Sequence, residues 1–164
     1  MPGEGNAKTG VLDRLSAATL ALAAISLVGM ALVQFWQVFA RYVMNDAPGW
    51  TEPVALILMS FAVMFGAAVA VRAESHFAFQ TLMLAMSAPV QKALRAFSRL
   101  IAAAAGAGLA IFGGMLMVDD WSVAMPGAPL PAGLRFLALT VGGALIFLFA
   151  VERLVVGDPK TVEH

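Results

Sequence analysis

The stretch LSAATLALAAISLVGMALVQFWQVFA, residues 15–40, runs from Arg14 to Arg41 without one ionisable side chain. A helix needs about 20 apolar residues to cross the roughly 30 Å hydrocarbon layer of a bilayer, and this stretch supplies them. The same pattern recurs between Glu52 and Arg72, between Arg99 and Asp119, and between Arg135 and Glu152. The last run is charge-free over residues 136–151, with the uncharged residues 128–134 ahead of it. Composition agrees: 61% of the residues are hydrophobic and 12% charged, where soluble domains carry roughly 25% charged. The sequence predicts a polytopic membrane protein.

Backbone amides in lipid must bond within the spanning structure, which leaves helices or a closed barrel. Barrel strands alternate apolar and polar residues over about ten positions. Residues 20–33 do not alternate, so the expected fold is an all-α integral membrane protein. Four transmembrane helices are expected at about 15–40, 53–71, 100–118 and 132–152. The first reads as a retained span and not a cleaved signal, because its apolar run is too long and Arg41-Tyr42 follows it in place of small residues.

Lys and Arg distribution sets the expected orientation. With the N-terminus in the cytoplasm, Lys8, Arg14, Arg72, Lys92, Arg95, Arg99, Arg153 and Lys160 lie inside, and only Arg41 and Arg135 lie outside. Trp36, Tyr42, Trp50 and Trp121 then fall near the outer ends, at the headgroup level that amphipathic rings prefer. Both termini are expected in the cytoplasm. The formal net charge is zero, so the asymmetry carries the information. With no cysteine, disulfide and thiolate chemistry are excluded.

Residues 1–13, with Pro2, Gly3 and Gly5, read as a loose N-terminal tail, residues 14–156 as the four-helix membrane domain, and residues 157–164 as a C-terminal tail. The loop from Arg41 to Glu52 holds Asn45-Asp46 and Pro48-Gly49, a turn signature. Thr51 is placed to cap the second helix, with Pro53 in its first turn, where a missing amide proton costs little. Between the second and third spans, residues 75–98 read as an amphipathic arm helix at the inner membrane surface. Val90, Leu94 and Phe97 share one face there, and Lys92, Arg95 and Arg99 another. A second reading has residues 89–99 extending the third span, with the surface arm ending at Ser87.

Ala102, Gly106, Ala110 and Gly114 recur every fourth residue on the third span, and Ala62, Gly66 and Ala70 do so on the second. Small residues at that spacing let helix backbones approach closely. Gln34, Gln37 and Arg41 form a polar stripe on the outer half of the first helix, which reads as hydrogen-bonding to another helix or a partner subunit, or, less readily, as a solute path. Coupled transporters normally carry ionisable groups or broken helices near the midplane, and these spans have neither. The histidines are His76, in a loop, and terminal His164, too few to ligate a b-type haem between facing helices. Asp119 and Asp120 have no neighbouring histidine or cysteine to complete a metal site and read as a solvated helix end. No catalytic nucleophile, phosphate loop or nucleic-acid-binding patch is present, and no cofactor is expected.

The order Val38-Phe39-Ala40-Arg41-Tyr42-Val43, Trp50-Thr51-Glu52, Phe65-Gly66-Ala67-Ala68 and His76 resembles the small membrane subunit of tripartite ATP-independent periplasmic (TRAP) transporters. Pro129-Leu130-Pro131-Ala132-Gly133, Gly142-Gly143 and Glu152-Arg153-Leu154 fit the same pattern, so the likeness covers roughly residues 12–156. The chain departs from it at Pro53, Gln80 and Thr140, where the family often carries an acidic residue, an aspartate and a proline.

The resemblance implies a bacterial inner-membrane scaffold. In such systems a periplasmic solute-binding protein captures a small solute, usually an organic acid. A large membrane transport subunit then moves it with the sodium gradient, and the small subunit braces the large one and helps dock the binding protein. The expected partners are those two proteins and membrane lipid. On this reading Asp46, Asp119, Asp120 and Arg135 are candidate docking residues. Arg41, Trp50, Glu52, Gly66, His76, Gly106 and Gly114 are candidate structural or subunit-contact residues, with His76 and Arg72 at the inner end of the second helix. The competing reading is a self-contained homo-oligomeric exporter or channel working through Gln34, Gln37 and Glu52. A redox-enzyme anchor is disfavoured by the histidine count.

Overall fold

The computed structural model describes residues 4–46, 48–73 and 88–156. Four α-helices carry the chain: α1 (Glu4–Val43), α2 (Thr51–Ala73), α3 (Ala88–Asp119) and α4 (Leu137–Val156), with a 3-10 turn at Ala132–Phe136 leading into α4. No strand forms among the described residues; the one isolated bridge joins Ala124 to Pro131. Four segments are long and apolar enough to cross a membrane: Gly10–Val43, Thr51–Ala73, Ala93–Asp119 and Ala132–Val155. The chain is thus an all-helical, multi-pass membrane protein.

Helix α1 begins at Glu4, inside the segment that Pro2, Gly3 and Gly5 mark as loose. Once a long apolar span is helical, adding residues to its end is cheap compared with nucleating a new helix, and the glycine at position 5 does not stop it. At the other end Asn45 takes φ +52°, a left-handed conformation that asparagine tolerates better than most residues. The amides of Met44 and Asp46 both donate to the Ala40 carbonyl, at 3.1 and 3.2 Å, which satisfies a helix-end acceptor.

Residues 88–98 continue directly into the third span as part of α3, so this half of the expected arm extends that helix. The other half, residues 75–87, and with it His76, lies outside the described residues.

Thr51 behaves differently from a helix cap. Its hydroxyl donates to the Pro48 carbonyl at 2.7 Å, and its amide reaches the same oxygen at 3.3 Å. The turn at Pro48 brings that carbonyl over the first residue of α2, so the buried hydroxyl is satisfied by closing the turn.

The helices pack in the spatial order α1–α2–α4–α3, with α2 and α4 central. Ala68, Ile146 and Phe149 form one buried cluster, with Leu15, Met64 and Leu145 against it, where α1, α2 and α4 meet. A second cluster, Met125, Ala128 and Ala132 with Ile57, Leu130 and Leu134, seats the α3–α4 connection on α2. That connection is ordered by Met125 N–H to Leu130 O and Ala132 N–H to Val123 O, both 2.8 Å. The two loops at this end touch at their glycines. Gly127 has φ +84°, and a Cβ there would lie 2.5 Å from the Gly49 carbonyl oxygen, so this contact needs glycine for both conformation and space.

Candidate functional site

Two ends of the helical unit carry its charges. At the end where α1 begins and α2 and α4 finish, Arg72 joins three helices. Its Nε donates to Glu152 Oε2 at 2.9 Å and its Nη2 to Glu152 Oε1 at 2.9 Å, a bidentate guanidinium–carboxylate pair. The same Nη2 donates to Asp13 Oδ1 at 2.7 Å. Only 14% of the Arg72 side chain and 8% of the Glu152 side chain is exposed, against 67% for Asp13. The guanidinium also lies 5.6 Å from the centroid of the fully buried Phe149 ring, within cation–π range. Arg153 completes the group, its Nε donating to the Arg72 carbonyl at 2.7 Å and so meeting one of the last acceptors of α2.

Of this clamp, sequence reading picked out only Arg72 as a structural residue. Arg72 and Glu152 each border a charge-free run and Asp13 stands one residue outside another, and alternating spans bring those borders to one end. Opposite charges sharing that end were the available signal.

The opposite, looped end holds the sequence-predicted charged residues and Trp50. Asp120 and Arg135 come together, Arg135 Nη2 lying 3.6 Å from Asp120 Oδ2, while Arg135 Nε donates to the Ala132 carbonyl at 3.0 Å. The Asp120 carbonyl accepts from Val123 and Gly133 amides at 3.2 and 3.1 Å. Asp120 is therefore part of the folded connection and more than a solvated helix end. Asp46 and Asp119 are exposed and make no ion pair among the described residues. Trp50 and Trp121 are 42% and 54% exposed. Glu52 and Arg135 both line a groove of about 970 Å³ between α2, the Met125–Gly127 loop and the start of α4. Arg41 is exposed and lies outside that lining.

The small residues divide sharply. A Cβ on Gly106 would lie 2.6 Å from Phe147 N and 2.9 Å from Gly143 O, and one on Gly143 would lie 2.6 Å from Ala110 N. Helices α3 and α4 thus meet backbone to backbone. Gly114 is looser, its nearest neighbour Thr140 Cγ2 at 3.7 Å, whereas Gly113, which the four-residue spacing passed over, faces Thr140 Oγ1 at 3.0 Å. The Thr140 hydroxyl donates to the Phe136 carbonyl at 3.0 Å. Among the described residues Gly66 has nothing within 4 Å of its Cβ position. Among the described residues no group of histidine and acidic side chains is placed to hold a metal ion.

Fold and charge placement define a class: a multi-pass helical membrane protein with a tightly packed interior, an ion-pair clamp at one end and exposed charges at the other. Within that class the chain belongs to the DctQ component family of tripartite ATP-independent periplasmic transporters, whose family profile matches residues 30–158. No curated protein matches the chain. Membership makes it a small component of a TRAP transporter, a system built from several proteins.

Proposed function

We propose that this chain is the scaffold subunit of a sodium-coupled TRAP-type importer in a bacterial inner membrane, with both termini cytoplasmic. It braces the large transport subunit and helps receive a periplasmic binding protein carrying a small organic acid. Family membership supports the assignment to a transporter. The observation that carries the bracing role is the way the helices are fastened. The close α3–α4 contact at Gly106 and Gly143 resists sliding, because packed interiors deform little. The bidentate Arg72–Glu152 pair ties α2 to α4. A unit fastened at both its middle and one end suits a fixed support against which a second subunit moves.

In this orientation the looped end faces the periplasm, where a soluble binding protein docks. Asp46, Asp119, Asp120 and Arg135 form its mixed-charge rim, and such rims set encounter rate and orientation more than final affinity. Copurification and reconstitution test the reading. The chain is expected to bring down a much larger hydrophobic subunit in fixed ratio, and proteoliposomes are expected to take up solute only with both subunits, binding protein and an inward sodium gradient. Solute movement by this chain alone would favour the self-contained exporter or channel.

A further inference from the structure

We propose that the groove between α2, the Met125–Gly127 loop and the start of α4 is a binding site for one membrane phospholipid with an amine-bearing, zwitterionic headgroup, its ammonium at Glu52 and its phosphate at Arg135. The inference requires only that the chain spans a membrane, and it holds whichever side the looped end faces.

Depth is the first observation. The α2 residues that line the groove begin at Glu52 and end at Met64, although α2 itself continues to Ala73. The step from residue 52 to residue 64 rises roughly 18 Å along a helix, close to one leaflet's share, roughly 15 Å, of the hydrocarbon layer. At that depth the groove closes because α2 meets α4: a Cβ on Gly142 would lie 2.5 Å from Met64 Cβ. Beyond it Ala68, Ile146 and Phe149 pack as a buried cluster. A helix crossing both leaflets finds no continuous groove here, whereas the chains of a single-leaflet lipid end where the groove ends.

Polarity is graded along the same path. Glu52, two residues from Trp50, and Arg135 stand at the looped end, and tryptophan favours the headgroup level. Deeper in, the lining is apolar, with Leu56, Ile57, Val63 and Leu139. Ser60, the other polar side chain of the lining, donates its hydroxyl to the Leu56 carbonyl at 2.9 Å.

The two charges face one groove without pairing. Glu52 is exposed and makes no ion pair or hydrogen bond among the described residues. Arg135 commits Nε to the Ala132 carbonyl, and its Nη2 lies 3.6 Å from Asp120, beyond hydrogen-bond length. Of the guanidinium's N–H groups, some thus remain for a phosphate. An ammonium and a phosphate on one molecule complement both residues. Acyl chains gain no hydrophobic energy on passing from bilayer to groove, so packing and these headgroup contacts carry the selectivity.

The full-length chain, with the proteins that copurify with it, is reconstituted in vesicles of equal phosphatidylethanolamine and phosphatidylglycerol. In parallel samples one lipid or the other carries a photoreactive group midway along an acyl chain, and the labelled peptides are mapped. The phosphatidylethanolamine probe is expected to label the groove walls on α2 and α4 roughly two- to fivefold more than the phosphatidylglycerol probe, the range of a partly exposed ion pair. Glu52→Gln is expected to abolish that preference. Leu56→Trp, at a lining residue already 58% exposed, is expected to lower labelling by both probes at least roughly fivefold, since packing is lost with the space. Ile111→Trp on α3, 57% exposed and outside the lining, is expected to leave labelling unchanged. Equal labelling by the two probes, a preference that survives Glu52→Gln, or no lipid adduct in the groove, as when another protein covers it, overturns the proposal.

Discussion

At one end of the helical unit, every donor of Arg72 with a recorded bond is directed at Glu152 or Asp13, and Arg153 turns back onto the Arg72 carbonyl. At the other end, Asp46 and Asp119 stand exposed and unpaired among the described residues, and Arg135 meets Asp120 only at 3.6 Å with half its side chain exposed. Both ends border apolar spans and both carry charge of both signs. The difference lies in burial: charges shielded from water need exact partners within the chain, whereas exposed ones remain available to a second protein. One end is fastened within the chain, and the other leaves its charges exposed.

The largest effect is expected at the clamp. Glu152→Gln leaves Arg72 shielded with only the exposed Asp13 as a counter-charge, and breaking a buried pair typically costs about 3–5 kcal/mol. Thermal unfolding of the purified complex is expected to show a strong loss. Asp13→Asn, which removes the exposed partner, is expected to cost under about 1 kcal/mol. Equal losses in the two variants would mean that Asp13 is as essential as Glu152.

The packing contrast comes next. Gly106→Leu drives a side chain into the backbone of α4 at Phe147 and Gly143, an overpacking that costs on the order of 1–3 kcal/mol. Gly66→Leu meets open space in this chain and is expected to leave its own folding unchanged. A loss of large-subunit recovery in Gly66→Leu, with this chain still folded, would mark α2 as a further contact face.

At the looped end, Asp119→Lys and Asp46→Lys are expected to change stability by less than about 0.5 kcal/mol, as surface substitutions usually do. Under the proposed function their effect is on docking, and added salt is expected to shrink it, since exposed charges are screened beyond about 10 Å at 0.1 M. An effect that persists undiminished in high salt would place these carboxylates in a buried contact.

The charge-free runs made the four helices legible, because a bilayer imposes length and composition on anything that crosses it. Gly106 was legible for a related reason: a small residue every fourth position marks a helix face. What faces Gly106 was not, because periodicity names a face without its neighbour, and the same spacing selected Gly66, which meets none of the described residues within 4 Å. The clamp escaped sequence reading because Arg72 is 59 residues from Asp13 and 80 from Glu152, and only the packing of α1, α2 and α4 brings them together. The approach of Arg135 to Asp120, 3.6 Å apart, was also not legible. Arg135 lies beyond a connection whose fold depends on backbone bonds, such as Met125 to Leu130, that carry no sequence signature.

The division between a fastened end and a receiving end is tested most directly by solute uptake into proteoliposomes as binding protein is varied from limiting to saturating. The variant carries Asp46→Lys, Asp119→Lys and Asp120→Lys together in an intact complex. Several times more binding protein is expected to be needed for half-maximal uptake, with the rate at saturation nearly restored. An unchanged dependence on binding protein, with the complex intact, would contradict it and leave this chain without a docking role.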